Sequence, residues 1–330
     1  MPIFPYSLLN KNLLKTSMND FALQGEPFLF VIDFKGENGY CIHKNKIDAN
    51  YIRTTLIGDK RFKKKSNHKP FTWSVHPVSK SDYSKRFASV KNEIQLGNSF
   101  LVNLTQPTQV SSNFNLNELY ACGNARYKLL LTNKFACFSP EIFLQIRGNK
   151  IASYPMKGTI DANMPDAKTQ ILNDEKEKAE HATIVDLIRN DLSMVAFDVH
   201  VERYRYVEKL LTNNTDLLQV SSEISGTIQA NYMGRIGDIV FAMLPAGSIS
   251  GAPKAKTMEI IEQAEGYERG FYTGVFGYFD GKNMDAAVMI RFIEQQNNNL
   301  VFKSGGGITF KSELDKEYEE LIQKVYVPIY

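Results

Sequence analysis

Apolar residues along this chain recur with a period of two in some stretches and of three to four in others, and the period predicts the element. The run over 27–34 is almost wholly apolar and partly β-branched, and stops just short of Gly36. That pattern predicts a buried strand. Residues 40–43 are expected to pair with it as a hairpin across Glu37-Asn38-Gly39, after a short helix over 11–19. Phe87, Val90, Ile94 and Leu96 mark one helical face over 81–96, with Gly97 as its C-terminal cap. Strands are predicted at 100–105, 127–131, 136–138, 141–146, 199–205, 217–224, 226–229, 272–279, 286–292 and 300–303. Helices are predicted at 116–125, 177–192, 234–243, 255–264 and 313–325. In the second of these, Ile184, Val185, Ile188 and Leu192 form the apolar stripe. The two prolines and small residues of 244–254 predict an irregular loop.

Strands and helices intermix without the regular alternation of a parallel βαβ sheet, so the fold class is α+β with layered, mostly antiparallel sheets. Residues 1–75 read as a short N-terminal region contributing strands to the same fold, and 76–330 as the main catalytic body, with a polar boundary loop at 58–75. The 330 residues are 43% hydrophobic and 23% charged, enough for a sizeable core. A net charge of +3 gives no reason to expect nucleic acid or an acidic membrane as partner. The basic run at 60–65 reads as a solvated loop. No apolar run reaches the ~18 residues of a membrane span, and the N-terminus lacks the pattern of a signal peptide. Cys41, Cys122 and Cys137 are odd in number and lack metal-ligand spacing, so a reduced, cytoplasmic protein is expected.

Candidate chemistry centres on Pro155-Met156-Lys157-Gly158-Thr159, where proline and glycine put a lysine on a stiff turn with little steric cover. As a nucleophile Lys157 must lose its proton, which burial and neighbouring cations would favour, with Glu141 as acceptor. Glu177 and Glu180 lie three apart on one predicted helix, and Glu317 and Glu320 on another. Each pair shares a helix face. Two such faces meeting would make an oxygen-rich Mg²⁺ site; read alone, both are equally solvated faces interleaved with Lys176, Lys178, Lys316 and Glu319. The run Gly305-Gly306-Gly307, expected between a strand and a helix, offers backbone amides to an anion, or is a plain turn. The loop from Gly247 to Lys254 is a second such candidate. Arg291 is either a carboxylate clamp or an ion-paired surface residue, and His181 reads as a packing residue.

In their order, these motifs resemble the chorismate-utilising enzymes from about residue 80 onward. The carriers are Ser139-Pro140-Glu141, Pro155 to Thr159, Glu177-x-x-Glu180-His181 with its continuation to Leu192, and Gly247 to Lys254. Tyr272-x-Gly274-x-x-Gly277, Ile290-Arg291, and Gly305 to Ile308 ahead of Glu317-x-x-Glu320 complete the set. The resemblance implies two large β-sheets sandwiched together and flanked by helices. It implies Mg²⁺ held by Glu180 and Glu320, with Glu177 and Glu317 in support. It also implies chorismate bound by Ser250, Gly251, Ala252, Lys254, Tyr272, Arg291 and Gly305 to Gly307. Lysine at 157, where anthranilate and isochorismate synthases usually carry alanine, points within the family to aminodeoxychorismate synthase component I, with Lys157 as nucleophile and Glu141 as acid. Leu101 stands where isochorismate-type enzymes use a water-activating lysine and amine-transferring members usually carry glutamine. Gln219 stands where many members have histidine. Anthranilate synthesis, and a non-catalytic chorismate-binding or amidotransferase-docking role, are the alternatives. With no Cys, His and Glu set for glutamine hydrolysis, ammonia is expected from a separate glutamine amidotransferase subunit. A shortened N-terminal region makes an allosteric amino-acid site there doubtful, and the absence of a lyase domain leaves release of p-aminobenzoate to another enzyme.

Overall fold

A computed structural model of the chain describes residues 4–58, 70–210 and 216–329; the predicted basic loop at 60–65 lies outside them. Two antiparallel sheets dominate it. The ten-stranded sheet runs Leu9–Asn10, Asn38–His43, Phe28–Ile32, Val275–Phe279, Met284–Val288, Ile142–Arg147, Lys150–Ser153, Leu217–Thr227, Met156–Asp161, with Phe197–Leu210 also paired to Leu217–Thr227. The eight-stranded sheet runs Gly251–Ala252, Leu101–Ser112, Asn299–Thr309, Phe292–Gln296, Phe135–Ser139, Tyr127–Leu131, Ile52–Thr54, with Trp73–His76 on the outer side of Leu101–Ser112. The first hairpin forms in the expected place, Phe28 opposite His43 and Ile32 opposite Gly39.

Successive side chains of a strand point to opposite faces, and the unbroken apolar run at 28–32 follows from burial on both. Phe28, Phe30 and Ile32 pack under the helices with Ile184, Ile188 and Leu192, whereas Leu29 and Val31 meet Leu129, Leu131 and Phe135 of the other sheet. Leu130, between two of those, turns outward against Leu119 and Tyr120 of the helix Leu116–Cys122. Layers of helix, sheet, sheet and helix result. Among the described residues, no helix is long and apolar enough to cross a membrane.

Several predicted elements need correction. The strand expected at 286–292 is two, Met284–Val288 in the larger sheet and Phe292–Gln296 in the smaller, and the boundary loop at 58–75 runs into the strand Trp73–His76. The three that follow bear on the site. The segments at 217–224 and 226–229 form one strand, Leu217–Thr227. The glycine run does not follow a strand but lies inside one: in Asn299–Thr309, Gly305, Gly306 and Gly307 pair with Thr105, Leu104 and Asn103. A continuous neighbour holds these glycines extended, which local propensity cannot foresee. The loop 244–254 contains a 3₁₀ turn, Gly247–Ile249, and a two-residue strand, Gly251–Ala252, docked on Val102 and Leu101. Gly251 has φ +146°, and a Cβ there would run into the Leu101 carbonyl oxygen, so only glycine fits. A helix at Ala167–Asn173, which the apolar pattern did not predict, has no side-chain N-cap and only seven residues.

Candidate active site

Lys157 does not sit on a turn. It lies in the strand Met156–Asp161, where Met156 pairs with Ser221 and Thr159 with Gln219, so Lys157 and Gly158 together face one residue, Val220. That is a β-bulge, a device that redirects a side chain beside a site. Gly158, at φ +81°, supplies the left-handed backbone that the bulge needs. A Cβ on Gly158 would lie 3.4 Å from Glu177 Oε2, so glycine also lets the helix Glu175–Ser193 come close.

That helix starts with the Asp174 carboxylate accepting from the Glu177 amide at 2.9 Å. Its spacing turns Glu177 and Glu180 towards the strand. Lys157 Nζ lies 3.4 Å from Glu180 Oε2. Burial alone would lower the lysine pKa, but the carboxylates of Glu180, Glu177, Glu320 and Glu141 outweigh it and hold Lys157 above its usual value. The lowering that a nucleophilic role calls for is therefore absent at rest, since the charges that act most strongly on Lys157 are carboxylates. Glu141 precedes the strand Ile142–Arg147; its backbone N–H donates to Ser139 Oγ at 3.0 Å, and its Oε1 accepts a short hydrogen bond from Ser248. Burial pushes the Glu141 carboxyl up, against the opposing pull of Ser248 and Lys157.

The second carboxylate pair arrives on the helix Leu314–Gln323, where Glu317 is buried and Glu320 half-buried. Both face the glycine strand: a Cβ on Gly306 would lie 3.4 Å from Glu320 Oε1 and 3.6 Å from Glu317 Oε2. A Cβ on Gly307 would lie 3.1 Å from Glu180 Oε2 and 3.3 Å from Lys157 Nζ. The two helix faces thus meet across the glycine strand. Lys176 Nζ sits between them, 2.7 Å from Glu317 Oε1 and 3.7 Å from Glu180 Oε1, and Lys324 Nζ donates to Glu320 Oε1 at 2.6 Å and to the Gly305 carbonyl at 3.0 Å. Burial raises Glu320, but the Lys324 ammonium more than offsets it and holds the carboxyl below its usual range, whereas burial and the Glu180 charge push Glu177 up.

As they stand, no three His, Cys, Asp or Glu side chains among the described residues converge closely enough for a metal ion. The donor chemistry nevertheless fits a hard cation. Glu180 is 4% exposed, and its Oε1 is buried with no hydrogen-bond partner. Such a carboxylate oxygen is costly to leave unmatched, and hard divalent cations take carboxylate oxygens.

The remaining expected residues divide. Arg291, at φ +50°, donates to the Lys324 carbonyl at 3.3 Å and stacks over Tyr326, which places it beside the final helix. Past Lys303, the outer edge of the glycine strand has no strand neighbour among the described residues, since Phe292–Gln296 covers it only that far. Three expectations turn inward. Ser250 is fully buried, and its hydroxyl donates to the Ala246 carbonyl at 3.0 Å. Lys254 pairs with buried Asp191 at 2.7 Å and also donates to the Met243 carbonyl. Tyr272 is 3% exposed in the core between the sheets. These three shape the loop and the core beneath the site, and the structure does not bring them to Lys157. The Ala252 carbonyl accepts from Phe100 N–H and Ser99 Oγ. Leu101 touches the Lys157 neighbourhood through Gly307: its Cδ1 is 2.9 Å from the Cβ position.

Sequence reasoning missed Ser248, Lys176 and Lys324. Lys176 is four residues before Glu180, a spacing that shares a helix face and so would have placed it. His181 bonds Ser222 Oγ at 2.7 Å while its Nδ1 has no partner, and burial lowers its pKa to about 4. The unfolded chain takes up this proton below about pH 6.5 and the folded chain only below about 4, so stability falls as pH drops through that window. Urea unfolding at about pH 7 and about pH 4.5 should show up to ~3 kcal/mol of loss from this group, largely absent in His181→Gln. An equal loss in the variant would clear His181.

The family model of the chorismate binding enzyme matches residues 29–329, and the chain belongs to that family. An uncharacterised PabA-like protein of Pasteurella multocida is 49% identical over 313 residues, covering 94% of this chain and 97% of that one. The aminodeoxychorismate synthase component 1 of Salmonella typhimurium is 31% identical, over 94% of this chain and 69% of that one. Among solved structures, anthranilate synthase component I from Streptococcus pneumoniae superposes with a TM-score of 0.70 at 21% identity, covering 93% of this chain and 84% of that one. That likeness establishes the sandwiched two-sheet fold expected from the sequence.

Proposed function

We propose that this protein aminates chorismate at C4, as aminodeoxychorismate synthase component I. The observation that carries the reading is Lys157, turned by its bulge towards Glu180 and within the electrostatic reach of Glu141. The similarity to relatives of that name supports it.

Lys157, an ammonium at rest, first passes a proton to the Glu141 carboxylate, and its neutral Nζ then attacks C2 of the ring. The C2–N bond forms, the ring double bond shifts, and the C4–O bond breaks. The hydroxyl leaves as water with a proton from Glu141, whose raised pKa suits an acid. Ammonia then bonds to C4, the double bond shifts back, and the C2–N bond breaks to return the electron pair to Lys157. The surplus proton of the new ammonium passes to the Glu141 carboxylate. Two allylic displacements replace one difficult substitution. The carboxylates of Glu180 and Glu320, with Glu177 and Glu317 beside them, would hold Mg²⁺, which supplies charge neutralisation for a substrate carboxylate. Arg291 and the free edge of Gly305 to Gly307 orient the substrate carboxylates. Leu101, whose Cδ1 lies 2.9 Å from the Cβ position of Gly307, brings no titratable group of its own to the Lys157 neighbourhood.

The ammonia comes from a glutamine amidotransferase subunit in this reading. Cys137 is wholly buried, and burial pushes Cys41 up to about 12, so neither is poised as a glutaminase nucleophile. Incubating the protein with chorismate and Mg²⁺ but no ammonia, followed by peptide mapping, tests the covalent step. The expected result is a fragment containing Lys157 that gains the mass of chorismate less one water. Turnover on later addition of ammonium without any such adduct would remove the lysine from its role.

A further inference from the structure

Within the carboxylate cluster, Glu177, Glu180, Glu317 and Glu320 face the three ammonium groups of Lys157, Lys176 and Lys324. Lys157 stands on the strand of the larger sheet and Lys324 reaches back to Glu320 and Gly305. Lys176 alone bridges the two helices, with Glu317 from one and Glu180 from the other. It does so at the buried Glu180 oxygen that has no hydrogen-bond partner, since 3.7 Å is too long for one. Its side chain is 29% exposed, so the ammonium has a path to water without unfolding the helix.

We propose that Lys176 is a resident counter-cation of the cluster. It holds the two glutamate-bearing helices together in the metal-free protein and swings out when a divalent ion enters the cluster at Glu180 and Glu320. This rests on the reading that these carboxylates hold a metal. The physical basis is charge: four carboxylates left together would repel one another, and an ammonium at the centre opposes entry of a second cation. Such a lysine keeps the site assembled at low metal concentration and weakens metal binding by competition.

Calorimetric titration of the protein and of Lys176→Met with Mn²⁺ and Mg²⁺, in the absence of substrate, separates the possibilities. The variant should bind both ions at least ~10-fold more tightly and melt at a lower temperature without metal, the difference shrinking when metal is added. In the unaltered protein, amine acetylation mapped by mass spectrometry should rise at Lys176 on adding Mn²⁺ and stay constant at exposed Lys178. That second measurement decides the matter if Lys176→Met does not fold. Equal or weaker metal affinity in a folded variant overturns the role of Lys176 and leaves the metal reading intact, as does labelling of Lys176 unmoved by metal. No binding by either protein overturns both.

Discussion

Lys157→Ala should lose at least ~10³-fold in turnover of chorismate and ammonium while unfolding within a few degrees of the unaltered protein. The lysine side chain is 21% exposed, and its one close ion pair is with Glu180, which keeps Lys176 nearby when Lys157 is removed. The backbone of the bulge depends on Gly158 and on the pairing with Leu217–Thr227, not on the ammonium. Lys157→Arg sharpens the result. It keeps a positive charge facing Glu180 but cannot be deprotonated to a nucleophile. If the lysine acts covalently, both variants are equally inactive; if its charge merely orients a carboxylate, arginine restores much of the rate. Steady-state rates for the three proteins decide between these.

Gly307→Ala should lose on the order of 10²-fold in turnover with a much smaller effect on stability. The added methyl would sit 2.9 Å from Leu101 Cδ1, 3.1 Å from Glu180 Oε2 and 3.3 Å from Lys157 Nζ. It intrudes between the nucleophile and the carboxylate that faces it, on a strand whose backbone lies outside the left-handed region and accepts alanine. Gly306→Ala is the matched control, since its nearest neighbours are the Glu320 and Glu317 carboxyl groups at 3.4 Å and beyond, ordinary contact distances. A greater loss from Gly306→Ala than from Gly307→Ala would contradict the placement of Lys157 against the glycine strand.

Much of this site was legible because its motifs are local. Three-residue spacing put Glu177 with Glu180 and Glu317 with Glu320 on shared faces, and the helices Glu175–Ser193 and Leu314–Gln323 present them so. What the sequence could not show is what each side chain meets across the fold. Lys254 and Ser250 belong to the same small-residue motif, yet Asp191 and the Ala246 carbonyl claim them from elements the motif does not contain. The glycine run reads locally as a loop, and only pairing with Leu101–Ser112 makes it a strand. Lys157 lies among carboxylates brought by the helices Glu175–Ser193 and Leu314–Gln323 and by Glu141 ahead of the strand Ile142–Arg147, so its pKa rises where a nucleophile would need it lowered. Long-range pairing, not local propensity, accounts for each of these differences.

The central claim is amination at C4, and identifying the product tests it most directly. The protein should be incubated with chorismate, Mg²⁺ and ammonium, and the products separated and examined by mass spectrometry and fluorescence. The account predicts 4-amino-4-deoxychorismate, non-fluorescent until an added lyase converts it to p-aminobenzoate. Anthranilate fluorescence without any lyase would place the nitrogen at C2 and contradict it.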